Sequence, residues 1–271
     1  MQSPTSQPIA DQGWCWRPLL VELVRRELTA RYLGTFSGAA WAFAQPLLQL
    51  AIYGYVFVYI FRTRLPESEF AELGFLPFLA VGLWPWNAFA EAINRSATTI
   101  QDAAGLLGKV ALPRPLLVLA PICAGFALTT VGFIAVLAVL WVGGWIEPRW
   151  SALMVLPMML ILLVFSTGIG WFVAALNVFV RDVAQALPQI TLLMFFLTPV
   201  LYPRSLIPES LQGMADSNPM ALFVGLFRYS VLGVGHYGPI HFLMATGIAA
   251  VTAWLGYLVF RRLAPHFEDF L

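Results

Sequence analysis

The residues able to do chemistry are few and scattered along the chain. His236, His241 and His266 share no metal-ligand spacing with cysteines or carboxylates. The His236–His241 stretch, with Glu209 and Asp216 on the same side, is the one region that could supply the acid–base cluster of a membrane-embedded transferase for lipid-linked sugars. Neither a nucleophile elbow nor a His-Glu-x-x-His pair occurs. Cys15 lies in a polar segment and Cys123 in an apolar run, so both read as packing residues and not as a bridge or metal pair. The stretch AAGLLGKV imitates a phosphate loop. Ala103 replaces its first glycine, however, and Val110 replaces the hydroxyl residue that would hold magnesium.

These absences direct attention to the elements themselves. Of 271 residues, 60% are hydrophobic and 11% charged, against about 25% charged in ordinary soluble domains. Lipid must therefore solvate much of the surface. A net charge of +1 excludes a strongly basic nucleic-acid binder. No signal peptide precedes the first apolar run near Gly38, so the first spanning helix does the targeting and is retained.

Runs long enough to cross a hydrocarbon core of about 30 Å occur at about 39–61, 75–95, 116–142, 152–180, 186–203 and 240–260. The reading is an all-α integral membrane protein with a six-helix domain over 35–262, a tail over 1–17 and a tail over 263–271. The long fourth run implies tilt or a break near Gly168–Gly170, and the fifth reaches full span only with Pro199 and Pro203 at its outer end. With the N-terminus inside, ten Lys/Arg residues fall on the cytoplasmic side and five outside, which places both termini in the cytoplasm.

Residues 18–34 predict an amphipathic helix starting at Pro18 and lying in the cytoplasmic interface. Leu20, Leu23, Val24, Leu28 and Tyr32 share its apolar face, and the i,i+4 spacing of Glu27 and Arg31 predicts a pair. The longest cytoplasmic loop, 94–117, reads as a helix, a glycine-broken turn and a Pro113–Pro115 stop. Outside, a short helix begins near Pro208. Asn218 and Pro219 then start a second, apolar helix that dips into the outer leaflet and returns at Gly233 and Gly235; a seventh span is the rival reading.

Almost no ionisable residue lies deep in the six runs; Glu91 sits toward the inner end of the second. Ion-coupled carriers need such groups at mid-membrane, and no internal repeat points to an inverted-repeat carrier. Energy must come from a separate polypeptide. Aromatics make up 14% of the chain. Trp41, Trp84, Trp86, Trp141, Trp145 and Trp150 suit interfacial belts. Tyr53, Tyr55 and Tyr59 on the first span, with Phe195 and Phe196 on the fifth, could offer a charge-poor aromatic path to a sliding glycan.

Five stretches, in order, carry a resemblance: LVRRELTARYLGTFSGAAWAFAQPLLQLAIY (23–53), FLPFLAVGLWPWNAF (75–89), LLGKVALPRPLLVLAP (106–121), NVFVRDVAQALPQITLLMFFLTPVLYP (177–203) and NPMALFVGLFRYSVLG (218–233). Together they resemble the permease subunit of ATP-binding-cassette type 2 exporters, in the branch that moves O-antigen, capsule and teichoic-acid polymers. The resemblance implies a homodimer in the bacterial inner membrane with two separate ATPase subunits, which hold the ATP and magnesium, so that no cofactor binds this chain. It implies an undecaprenyl-pyrophosphate-linked glycan as cargo, an interface helix over 18–34 and external gate helices over 203–239. Asp102, Leu106, Leu107, Lys109, Pro113 and Arg114 become the coupling segment. Arg25, Arg26, Arg31 and Arg181 become candidates for the phosphate head group, with a local Arg181–Asp182 pair as the alternative. Gly34-x-x-x-Gly38 fits a helix contact in the dimer. Within the same family a drug or small-lipid exporter is the second reading; a passive channel is disfavoured by the cytoplasmic loop and interface helix.

Overall fold

The computed structural model describes residues 12–32, 38–63, 65–66, 74–107 and 113–270. Every regular element among them is helical. Helix α1 (Gln12–Tyr32) precedes the first span, which runs as α2 (Trp41–Tyr53) and continues as a π-helix over Gly54–Ile60. Helix α3 (Phe75–Asp102) and the short α4 (Ala104–Leu107) follow. Then come α5 (Arg114–Val142), α6 (Val155–Phe179) and α7 (Asp182–Leu197). Two shorter helices, α8 (Glu209–Asp216) and α9 (Pro219–Leu232), lead into α10 (Pro239–Leu263).

Among the described residues, four helical stretches are long and apolar enough to cross a bilayer: Trp41–Ile60, Arg114–Val142, Trp150–Phe179 and Pro239–Phe267. The second and fifth expected spans differ from them for separate reasons. Helix α3 has 28 residues, about 42 Å at 1.5 Å per residue, but it carries Asn87, Glu91, Asn94 and Arg95. Eighteen of its residues are buried, because the π-helical end of the first span, α5, α6, α7 and α9 surround it. A helix shielded from lipid by its neighbours can keep polar groups that a lipid-facing helix cannot. The expected cytoplasmic loop is correspondingly shorter, since residues 94–102 belong to α3. Helix α7 spans 182–197, not 186–203: it ends at Thr198, which is extended (φ −92°, ψ 134°), and at 16 residues it is about 24 Å long.

Three further readings are corrected. Helix α1 starts at Gln12, so Pro18 lies inside it and not at its first turn. The earlier start carries Trp16 onto α5, where it joins Leu19, Leu20 and Leu23 against Leu116 and Ala120; this packing outweighs the backbone donor that Pro18 removes. Helix α6 runs unbroken through Gly168 and Gly170, so of the two alternatives, tilt or a break, the break is excluded. These glycines are contact points: a Cβ at Gly168 would stand 2.4 Å from the Thr252 carbonyl oxygen, and one at Gly256 would stand 2.0 Å from the Gly168 carbonyl oxygen. Helices α6 and α10 therefore cross backbone to backbone, as small residues permit in membranes. Finally, Trp84 and Trp86 are only 3% and 4% exposed, so they belong to the interior; Trp41, Trp141, Trp145 and Trp150 are exposed, as a belt requires.

Helix α9 follows its local signals. The Asn218 side chain accepts from Met220 N at 2.9 Å, Pro219 opens α9, and Gly233 closes it in the left-handed region (φ 71°). Inside α9 lies a residue of unexpected depth. Arg228 is buried, and its guanidinium donates to the carbonyls of Phe78 (3.3 Å), Pro199 (2.6 Å) and Val200 (2.6 Å). Its central carbon sits 3.5 Å from the Phe78 ring centroid. Gly82 leaves the room, since a Cβ there would meet Nη2 at 2.6 Å. One cation thus ties α9 to the start of α3 and to the turn that ends α7.

Arg204 and Asp216 join this outer region through two hydrogen bonds of 2.6 Å. The Arg204 guanidinium holds the Asp216 carboxyl below its usual range. A carboxylate held low in the folded state contributes above its unfolded value and stops contributing as pH falls through the folded one. Spin labels at Ser205 and Met214 should therefore keep one short distance from neutral pH down to the ordinary carboxylate range near about 4, separating only below it. Asp216→Asn should broaden that distance at every pH.

Candidate functional site

Helix α3 presents Leu83, Asn87, Ala90 and Asn94 at intervals of four, three and four, which align them on one face. The first span covers one flank of this face and α7 the other, leaving two adjoining cavities. The outer one, about 270 Å³, is lined by Tyr53, Trp86, Asn87, Ala90, Thr191 and Phe195, among others. The inner one, about 480 Å³, is lined by Arg31, Gln45, Gln49, Asn87, Glu91 and Asn94, with Trp41 and Trp84 beside them. Asn87 and Ala90 belong to both cavities, so the two form one groove along α3.

The groove has two chemistries. At its outer end the Trp86 and Phe195 rings lie 5.6 Å apart, opposite Tyr53. At its inner end the walls are amides and an ion pair. Asn94 Nδ2 donates to the Ala90 carbonyl at 2.8 Å and to Thr191 Oγ1 at 3.2 Å, bridging to α7. Arg31 of α1 pairs with Glu91 at 2.6 Å. The pair lies over Gly125 of α5, where a Cβ would stand 3.4 Å from both Arg31 Nη2 and Glu91 Oε1. A sugar presents C–H faces that rest on aromatic rings and hydroxyls that bond to amides, so the groove offers both halves of carbohydrate recognition.

Of the aromatics predicted to line the path, Tyr53 and Phe195 meet in the outer cavity. Tyr55, Tyr59 and Phe196 point away from it, with exposures of 63%, 74% and 54%. The sequence reading missed Trp86, Asn87, Asn94, Thr191 and the two glutamines. A polar residue at every third or fourth position beyond an apolar run was their signal.

The predicted Glu27–Arg31 pair is replaced by two bridges to α3. Glu27 accepts from Arg95 at 2.6 Å, and Arg31 bonds Glu91. Local spacing permits the first pairing, but docking α1 on the bundle brings each charge to a partner on another helix. Arg25, Arg26 and Arg181 are exposed. The alternative Arg181–Asp182 pair is not among the ion pairs of the described residues. Reversing one bridge with Glu27→Arg should loosen α1. A partly exposed pair is worth about 1 kcal/mol or less, so a disulfide trapped between Leu23→Cys and Leu116→Cys should form several-fold less. Adding Arg95→Glu should restore it.

At the far end of α3, Asp102 closes the helix and accepts from Thr98 at 3.0 Å. Leu106 and Leu107 lie on α4, Lys109 lies outside the described residues, Pro113 caps α5, and Arg114 donates to the Ala264 carbonyl beyond α10. The buried Asn177 links this end to α7: Nδ2 donates to the Ala97 carbonyl (2.9 Å), Oδ1 accepts from Ala184 N (2.9 Å), and its own carbonyl accepts from Gln101 (3.1 Å). His241 Nδ1 accepts from Gly238 N at 3.1 Å and so serves the start of α10. No group of three His, Cys, Asp or Glu residues at metal-holding distance occurs among the described residues.

The profile of the ABC-2 type transporter family matches residues 18–232. This chain is an integral membrane protein belonging to that family. It is similar to the O-antigen export system permease protein RfbA of Myxococcus xanthus, 33% identical over 94% of this chain and 95% of the relative. An RfbA of Klebsiella pneumoniae is 29% identical over 93% and 95%. The polysialic acid transport protein KpsM of Escherichia coli is 26% identical over 83% and 85%.

Proposed function

We propose that this chain is the transmembrane subunit of an exporter that moves a lipid-linked polysaccharide outward across the bacterial inner membrane, with both termini in the cytoplasm. Two copies enclose the path, and two separate ABC ATPase subunits hold the ATP and magnesium. The observation that carries the reading is the groove along α3, aromatic at its outer end and amide-rich at its inner end. The names of the relatives, for O-antigen and polysialic acid, support the same cargo class.

The chain's own residues suggest how work reaches the groove. An ATPase closing beneath Asp102 and α4 displaces the inner end of α3. Asn177 is bonded to Ala97 and Gln101 of α3 and also to the start of α7, so α7 follows. Thr191 and Phe195 then shift relative to Tyr53, and the wall between the first span and α7 opens.

The test is reconstitution. Vesicles holding this chain and its cognate ATPase should sequester a radiolabelled lipid-linked glycan only with ATP. Transport by the chain alone, or none by the complex, would overturn the reading. His236→Ala with His241→Asn should transport normally, whereas a transferase working through those histidines would be silenced.

A further inference from the structure

The chain does not leave the bundle where α10 ends. Arg261 and Arg262 stand exposed in the last turn of that helix. Beyond them Ala264–Asp269 forms a 3-10 helix with Pro265 in its first turn. The last residues of a chain are usually loose unless something ties them down. Here the tie is Phe267, which is buried as completely as any residue of the core. Its ring meets Phe260 of α10 edge-on at 5.4 Å and Phe179, the last residue of α6, at 6.1 Å. Phe270 meets Phe179 as well, at 4.8 Å. The Ala264 carbonyl accepts from Arg114 at the start of α5. The stretch 264–270 thus touches the ends of α5, α6 and α10.

Not all of these joints are needed to hold the helices. Helices α6 and α10 already cross backbone to backbone at Gly168 and Gly256, and would stay together without the segment. Helices α5 and α10, in contrast, have little other contact. What the segment adds is a hold on the start of α5. Its other contact is equally placed: Phe179 stands two residues beyond Asn177, whose hydrogen bonds reach the far end of α3 and the start of α7.

We infer that residues 264–270 are a strap holding the start of α5 against the end of α6, with Phe267 as its positioning residue, and that export depends on the strap although none of its residues lines the groove. The inference rests on the export reading and adds a part to its machinery. A push delivered near Asp102 and Arg114 moves α3, α5 and α6 together only while the strap is closed. With Phe267 out of its pocket the start of α5 yields, and ATP is hydrolysed without movement at the groove.

The measurement is glycan exported per ATP hydrolysed, by the full chain with its ATPase in vesicles. Phe267→Ala should lower this ratio about tenfold while hydrolysis stays within about twofold of the parent. Phe267→Leu, which fills more of the pocket, should lower it about threefold, and it carries the test if the alanine variant does not elute as the parent does. His266→Ala, the exposed neighbour, should export at the parental ratio. A residue that only stabilises the fold would lower export and hydrolysis together and leave the ratio alone. Either that proportional fall or an unchanged ratio in the Phe267 variants would overturn the strap, and with the parent still exporting the export reading would stand. Hydrolysis without export by the parent complex would sink the export reading, and the strap with it.

Discussion

Arg228→Met is expected to abolish the folded protein, or nearly so, although the residue is in none of the ion pairs among the described residues. Methionine fills similar space but strands the Pro199, Val200 and Phe78 carbonyls that the guanidinium now serves. Hydrogen bonds to a charged group are worth about 1.5–3 kcal/mol each. Each buried carbonyl left without a donor costs about 1–3 kcal/mol, so three together take a large share of a typical stability of about 5–15 kcal/mol. Arg228→Lys should recover only part, because a point charge cannot reach three carbonyls while lying flat on the Phe78 ring. Gly82→Ala should weaken the same joint from the other side, since its Cβ would sit 2.6 Å from Nη2. The monodisperse fraction and melting temperature in detergent check all three. A fully stable Arg228→Met would mean that the carbonyls find other donors.

Gly256→Leu should be equally damaging, through overpacking alone. Even the first carbon of a side chain would stand 2.0 Å from the Gly168 carbonyl oxygen, and the obstacle is backbone that cannot rotate away. Helices α6 and α10 would have to separate along their whole contact. Overpacking in a tight interior costs about 1–3 kcal/mol for small insertions, and leucine here exceeds that range. Gly247→Leu, on the same helix, meets nothing within 4 Å of its Cβ and should express normally. Yield and thermal stability of the pair measure helix contact and not glycine content.

These two joints mark where sequence reading stops. Spans one, three, four and six were legible because lipid-facing helices must be apolar throughout. The start of α9 was legible from Asn218 and Pro219, whose roles are local. The start of the 94–117 segment was read as a separate helix; what was missed is that it continues the second span without a break, so that α3 runs from Phe75 to Asp102. Arg228 was counted as an external charge, since nothing nearby in sequence reveals the carbonyls of residues 29, 28 and 150 positions away. Glu27 and Arg31 were paired by spacing, a rule for isolated helices that docking onto α3 overrode. Of the five aromatics expected along a path, Tyr53 and Phe195 line the groove and Tyr55, Tyr59 and Phe196 do not. The amide half of the groove was hidden because glutamine and asparagine carry no signature until two helices bring them face to face.

The bond from Arg114 to the Ala264 carbonyl has a practical consequence for anyone expressing the protein. It places the end of α10 beside the start of α5, directly next to the segment through which we route the ATPase. A fluorescent reporter or affinity tag appended after the final residues would crowd that docking face. Such a fusion would insert into the membrane normally and pass a quality check by fluorescence, yet report an inactive transporter. A tag placed in the connection between α5 and α6, around Gly144 at the opposite end of α5, avoids the collision.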